Sequence, residues 1–458
     1  MNLARGTRLL AGMLAAAGFG LAARAAPAPA DPAQAIDSYV RGYVDGGNFS
    51  GVVRVERDGK LLFERAYGYA DAAHKVANTP ATRFHIASMS MQFTAAAALR
   101  LADRGDLVLD APVSAVLPDL RWDQPVTVRH LLTERSGLAD INARPDYNDI
   151  LQKPQTPRSL VAYVSGQPLL FTPGEKFLHE EHSAYNLLAL IVETKAKKPF
   201  AQAVDELVFQ PLGLHEAAID DDRPLTGQAR GYQVQGLRGV EPAPPIYWSA
   251  KAGNASATVS ARDEARWVRA LVTGTFLSPA SRAAVLNPGE RVGYGWFKSQ
   301  SKRFGEPALY MNGRSPGFAS YVLYLPNERL TVVALSNIYS SSTTALGDDV
   351  AALALGQRVE GFHPMAGKVT IAEAPMSFRF GPDFYRPDAE LRLEAADGGW
   401  TLRWPGDSLD ALIPVGPDRF VDRAYWQDVV LKRDAQGRLT GLVYDRFTGV
   451  PEATAARH

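Results

Sequence analysis

Ser88 heads the stretch Ser88-Met89-Ser90-Met91-Gln92-Phe93-Thr94, which leads into an Ala/Leu-rich helical run. A serine in that place has two uses. Its hydroxyl can attack an acyl carbon if a neighbouring group takes the proton, or it can simply cap the helix. Further along, His179-Glu180-Glu181-His182 gathers two imidazoles and two carboxylates in four residues. An imidazole with an orienting carboxylate is a competent base near neutral pH. Two histidines three apart with adjoining carboxylates also suit zinc. The segment precedes a helix rather than lying on one, and no third ligand is evident nearby, so solvated loop charge is the stronger reading and no metal is expected.

The elements that would position these residues follow from local pattern. Ser38 to Tyr43 reads as the end of a short helix. Gly51 to Val55 and Leu61 to Gly68 read as strands joined through Asp58-Gly59, a hairpin turn. From about 88 to 290 the pattern is mostly helical: Phe93 to Ala102, stopped at Gly105; Val128 to Leu132; a helix carrying Tyr185, Leu188, Ala189 and Val192, with Ser183 as its cap; and Ala261 to Leu271. Strand signals return at Tyr294 to Lys298, Phe318 to Leu325 and Leu330 to Leu335, and Ser342 to Leu355 reads as a covering helix. Strands at both ends with helices between imply one antiparallel sheet closed by the N- and C-terminal segments. Beyond about 360, short alternating strands at Leu391 to Leu393, Trp400 to Trp404, Val429 to Lys432 and Leu439 to Tyr444 indicate a separate small β module.

Composition bounds the function classes. The 458 residues hold 49 basic and 49 acidic side chains, with 46% hydrophobic and 21% charged residues. That is a soluble globular balance with no electrostatic footprint for nucleic acid. Arg5 and Arg8 precede an apolar stretch from Leu9 to Ala23, and Ala23-Arg24-Ala25 fits a signal-peptidase site. The expected organisation is a signal peptide at 1–25, a linker at 26–35, a main domain at 36–358 and a β-rich domain at 359–458. The expected location is periplasmic or secreted, with no membrane span once the signal is removed. The chain has no cysteine, so stability rests on packing without disulfides.

Five landmarks then carry a resemblance: Phe84-His85-Ile86-Ala87-Ser88, Thr127 to Thr133, Ser136-Gly137-Leu138, Pro173-Gly174-Glu175-Lys176-Phe177 and Ser315-Pro316-Gly317-Phe318. In this order they resemble the serine β-lactamase and penicillin-binding-protein-like hydrolases, a group with class C β-lactamases, D-amino-acid peptidases and esterases. The resemblance spans about 36 to 356. It implies an α+β fold: an antiparallel sheet flanked by helices, an all-helical portion, and a cleft between them. The tail resembles the small β-barrel-like domain often appended to such proteins.

The resemblance also assigns roles, and the polar residues depart from them. Ser88 stands at the nucleophile position. The family lysine three residues later is Met91, which fills the space without a charge or a proton acceptor. Counted from Pro173-Gly174, the Y-x-N loop is His179-Glu180-Glu181. Counted back from Tyr185 it is Glu180-Glu181-His182, with one residue inserted, and neither register keeps a tyrosine. The third motif is Met311-Asn312-Gly313, its His or Lys again a methionine. The oxyanion donors would be the backbone N–H groups of Ser88 and Arg314. A replacement triad of Ser88, His179 and Glu181 follows as one expectation, with Ser90, Glu180, Met91, His182, Met311, Asn312 and Gly313 lining the pocket.

Within the resemblance the substrates are β-lactams, D-amino-acid peptides and small esters or amides, with no cofactor. Loss of both lysine-type positions argues against efficient β-lactamase or D,D-peptidase action. Esterase or amidase chemistry through Ser88 is one expectation. An inactive homologue that binds a peptidoglycan-like or small acyl ligand is the other. Oligomeric state is not legible. Among other residues, His85 reads as a surface or supporting position, and Ser90 as helix-turn packing or a donor into the pocket. Trp267 and Trp296 read as core, Tyr147 as a cleft rim, and Asp220-Asp221-Asp222 as an exposed turn.

Overall fold

The computed structural model describes residues 31–178, 182–287, 292–365, 369–396, 399–406 and 408–452. The proposed signal peptide and residues His179, Glu180 and Glu181 lie outside the described residues.

The main unit is built on a seven-stranded antiparallel sheet. Its order is Val292–Gly293, Trp296–Gln300, Pro307–Ser315, Phe318–Leu325, Leu330–Ser336, Gly51–Arg57 and Lys60–Tyr67. The N-terminal strands thus close the sheet against a C-terminal strand, with Gly51 to Arg57 in register with Ser336 to Leu330. The hairpin between the two N-terminal strands turns at Asp58 and Gly59, whose φ values are 54° and 71°. Positive φ at both central residues is what a turn matched to strand twist requires.

Strands Phe318–Leu325 and Leu330–Ser336 are buried along their whole length, because both sheet faces are covered. Val53, Val55, Val332 and Ala334 meet Ile36, Val40, Leu346 and Val350 of helices Pro32–Asp45 and Ser342–Ala354. On the opposite face Val52, Val333 and Leu335 join Trp267 of helix Ala261–Thr273. Helix Pro32–Asp45 starts inside the segment read as linker. Asp31 caps it by accepting from Ala33 N at 2.9 Å, and Pro32 begins it, where a missing N–H costs nothing.

Helices Met91–Asp103 and His182–Ala196 pack together in the helical portion. Nearly every residue of the first is buried. Small alanines therefore allow close approach on all sides. Ser183 does not cap the second helix. Its hydroxyl accepts from Ile141 N at 2.8 Å and ties the loop after Leu138 to that helix.

After residue 375 the chain forms a closed eight-stranded antiparallel barrel from Met376–Arg379 to Phe447–Pro451. Phe378, Leu391, Leu393, Leu402, Leu412, Phe420, Val429, Leu431 and Leu442 fill its interior. Closure removes the exposed sheet edges that short strands would otherwise present. Four strands lack a sequence-based counterpart: Met376–Arg379, Leu409–Gly416, Arg419–Asp422 and Phe447–Pro451.

Candidate active site

Ser88 lies on a 3₁₀ turn, Ala87–Ser90, between the short strand Phe84–His85 and helix Met91–Asp103. Ala87, immediately before it, has φ 50°. An alanine in the left-handed region costs about 1–3 kcal/mol and persists only where its surroundings impose it. Here the surroundings do. Ile86 N donates to Ala257 O at 3.1 Å, Ala257 N donates to Ser90 Oγ at 2.9 Å, and Ser320 Oγ donates to Ile86 O at 2.7 Å. Ser90 is therefore a buried tie to strand Ala257–Val259, which corrects its assignment to the pocket lining.

Gly313 on strand Pro307–Ser315 completes the enclosure. A Cβ there would overlap the Ile86 carbonyl oxygen and come within 2.9 Å of Ser88 N. Only a bare backbone can pass so close. Arg314 is the next residue along, so the strand brings a backbone amide past the serine's own. Ser88 is half-buried, and its hydroxyl has no hydrogen-bond partner among the described residues.

Four of the other expected pocket residues, Met91, Met311, His182 and Asn312, do not line an enclosed pocket as expected. Met91 and Met311 are 1% and 3% exposed and belong to the core, so they back the site rather than line an open cleft. Their thioethers fill volume that a buried lysine would have had to desolvate. His182 turns toward Asp140, with Nδ1 3.2 Å from Oδ2. Asn312 is exposed. Among the described residues no cluster of His, Cys, Asp and Glu could hold a metal ion.

His85 is neither on the surface nor free. It is buried, stacked on Trp248 at 3.5 Å between centroids, and 2.9 Å from Asp220 Oδ2 through Nε2. Burial lowers its pKa and Asp220 opposes that. Burial works to raise Asp220, but the hydrogen bond from His85 and its companions prevail and hold it below the ordinary carboxylate value. Asp220 is thus a buried partner, which corrects the exposed-turn reading. This pair braces the strand that delivers Ser88.

Sequence reasoning missed Lys251. Its ammonium is buried, donates to Tyr147 Oη at 3.0 Å, and is pushed down to about 8 by burial, with Asp140 opposing. Burial also raises Tyr147, and Asp140 adds to the rise. Lys251 begins a segment laid along the nucleophile helix. Thr94 Oγ1 donates to Gly253 O at 2.7 Å, and Ala257 meets Ser90 as above. Its one sequence signal is a lysine among small residues, Ser249 to Ala255.

With this geometry in place, the β-lactamase family profile matches residues 36–357, most of the chain. The chain belongs to the β-lactamase family. PbpX of Bacillus subtilis (strain 168) is 28% identical over 307 residues, covering 66% of this chain and 74% of that protein. The octameric penicillin-binding protein homologue from Pyrococcus abyssi is 19% identical with a TM-score of 0.64, and covers 91% of this chain and 99% of its own. The similarity therefore extends across the barrel. D-amino acid amidase from Ochrobactrum anthropi SV3 is 20% identical with a TM-score of 0.62, covering 71% of this chain and 99% of its own. These two likenesses establish the β-lactamase and penicillin-binding-protein-like fold, with the barrel appended. No described helix is long and apolar enough to cross a membrane.

Proposed function

We propose that this β-lactamase family chain is an exported serine hydrolase of esterase or amidase type acting through Ser88. The observation that carries this reading is the strained turn before Ser88 combined with the close passage of Gly313 over its amide. A helix cap would need neither. A backbone cradle for an oxyanion needs both, since the amides of Ser88 and Arg314 must converge on one oxygen.

In this mechanism Ser88 Oγ attacks the acyl carbon and loses its proton to a base. The Ser88 and Arg314 amides stabilise the resulting oxyanion. Collapse expels an alcohol or amine, which takes up the proton. Water then attacks the acyl-serine and regenerates the hydroxyl, with the same base working in both halves.

Two groups compete for the role of base. One is His179 with Glu181, in the loop before the helix at His182. The other is Lys251 with Tyr147, whose ammonium loses its proton as pH passes about 8. A fluorophosphonate probe tests both, since it labels an activated serine. Labelling is expected in the wild type and absent in Ser88→Ala. Its rate rises with pH through about 6.5 if an ordinary imidazole is the base, and through about 8 if Lys251 is. Loss of the group that serves as base costs roughly 10²–10⁴ in rate. Folded wild type that takes no label between pH 6 and 9 refutes the hydrolase reading.

The buried Met91 at the family's lysine position favours one second reading, a homologue that binds a peptidoglycan-like or small acyl ligand without turning it over. Unlabelled protein that still binds such a ligand supports it.

A further inference from the structure

The barrel carries a cavity of its own, at the end where it meets the main unit. It measures about 290 Å³ and is walled by the rings of Tyr385, Trp404, Tyr425 and Tyr444. Ser341 of the main unit closes one side, and Arg386, Ser408 and Gln427 supply polar tips at the rim. Among the described residues no aliphatic side chain lines it. The barrel interior beneath is already filled by Phe378, Leu391, Leu402, Phe420 and their neighbours. An acyl chain therefore has no shaft to enter, and a ligand must sit at the mouth.

The geometry points to a saccharide-binding site at this barrel mouth, taking one or two sugar rings against Tyr385, Tyr425 and Trp404, with the buried Tyr444 as its floor. The rings form a box rather than a slot. Trp404 meets Tyr444 at 90° and Tyr425 at 52°, and Tyr385 meets Tyr444 at 83°. A flat base would stack between parallel rings. A puckered sugar instead presents C–H groups in several directions, each suited to the electron-rich face of a different ring. Tyr385 and Tyr425 are 53% and 39% exposed, so part of this aromatic surface is open to solvent. At the rim Arg386 Nη1 donates to Pro405 O at 2.5 Å. Asp445 accepts from Tyr385 Oη at 2.8 Å and sets a carboxylate beside the mouth, which disfavours an anionic ligand. Hydroxyl-rich, uncharged ligands match the remaining hydrogen-bonding tips.

The site does not depend on hydrolysis, yet it touches the candidate active site's wall. The Arg314 guanidinium lies 4.6 Å from the Tyr425 ring centroid and 4.7 Å from that of Tyr339, and donates to Ser341 Oγ at 2.7 Å. Arg314 thus links the mouth to the strand that passes Ser88.

Calorimetric titration of the full chain with N-acetylglucosamine oligomers and glucose oligomers tests the proposal. Saturable binding to at least one series is expected, weakened about tenfold or more in Tyr385→Ala and in Gln427→Ala, each removing a contact of roughly 1.4 kcal/mol. Both residues are outside the packed interior, so these variants keep the fold, checked by their melting curves. Ser88→Ala is expected to bind as the wild type does, which separates this site from the cleft. Folded wild type that binds neither series overturns the proposal, as does binding that survives both barrel variants. Adenosine or a fatty acid binding in place of the saccharides, with the same loss in the variants, overturns the ligand class.

Discussion

At the residue scale, the charge of Lys251, one of the two candidate bases, is set by burial and by Asp140. Burial pushes Lys251 down to about 8, and the Asp140 carboxylate pushes back. Asp140 also faces His182. Removing its charge in Asp140→Asn takes away the group that holds Lys251 up, so the ammonium titrates lower still. If Lys251–Tyr147 is the base pair, the alkaline rise in labelling rate shifts below pH 8 in Asp140→Asn. The limb disappears in Lys251→Met. Should the loop imidazole be the base, the limb near 6.5 stays in both variants. Stopped-time labelling across pH 5–10 reads the difference. In the sequence Tyr147 read only as a cleft rim, and Asp140 and Lys251 did not stand out, because no spacing rule joins the three. Ser88 was legible, since its neighbours fix both the turn and the helix that follows.

Two predictions belong to the elements. Strand Pro307–Ser315 can pass the Ser88 turn only because Gly313 has no side chain. Gly313→Ala forces the strand away from the Ile86 carbonyl and the Ser88 amide. The overlap costs about 1–3 kcal/mol of stability, and the displaced amide lowers labelling by roughly 10²-fold. A circular-dichroism melt beside the labelling assay separates the two effects. Helix Ala261–Thr273 meets helix Met91–Asp103 through a buried polar chain: Trp267 Nε1 donates to Gln92 Oε1 at 2.8 Å, and Gln92 Nε2 donates to Glu264 Oε1 at 2.7 Å. Burial pushes Glu264 up to about 8. Its folded value exceeds the unfolded one, so the carboxyl favours folding at low pH. That contribution is lost as pH rises from about 4.5 through 8. Glu264→Gln keeps the acceptor for Gln92 and carries no charge. Its stability in urea is therefore expected to vary less between pH 5 and 9, and to exceed that of the wild type by a few kcal/mol at pH 9. The helices themselves were readable from their periodicity. Their polar linkage was not, because Gln92 and Glu264 look like ordinary surface residues until the helices meet.

For the whole molecule, the decisive contact is Arg423. It is fully buried where the barrel meets the main unit. Its guanidinium donates to Asn48 Oδ1 at 3.0 Å and to the carbonyls of Gly47, Gln235 and Gly236 at 2.8, 2.9 and 2.5 Å. Burial lowers it to about 10, still charged at neutral pH. Trp426, in tilted ring contact with Phe362 and Tyr43, extends the contact. Arg423→Met leaves these carbonyls without donors and costs about 3–5 kcal/mol. Proteolysis between 355 and 376 is then expected to be faster than in the wild type, and denaturation should split into two transitions. A single transition in the variant would mean that the barrel holds on by apolar contact alone.

By itself the sequence determined the family, the sheet closed by both chain ends, the Asp58–Gly59 hairpin and the position of Ser88. These are set by short-range pattern: period-2 and period-3.6 burial, turn residues, and motifs whose parts are neighbours in the chain. It also marked a distinct C-terminal β module, but only half of the strands. Leu409–Gly416 contains Pro414 at a register shift, and Met376–Arg379 and Arg419–Asp422 have four residues each. Such strands become unmistakable only when the barrel closes and each gains two partners. Tertiary structure alone decided that Met91 and Met311 are core, that His85 and Asp220 are a buried pair, and that Lys251 sits beside Tyr147. The reason is common to all: desolvation and long-range pairing set the chemistry of a polar side chain, and neither is a property of the residues beside it in sequence.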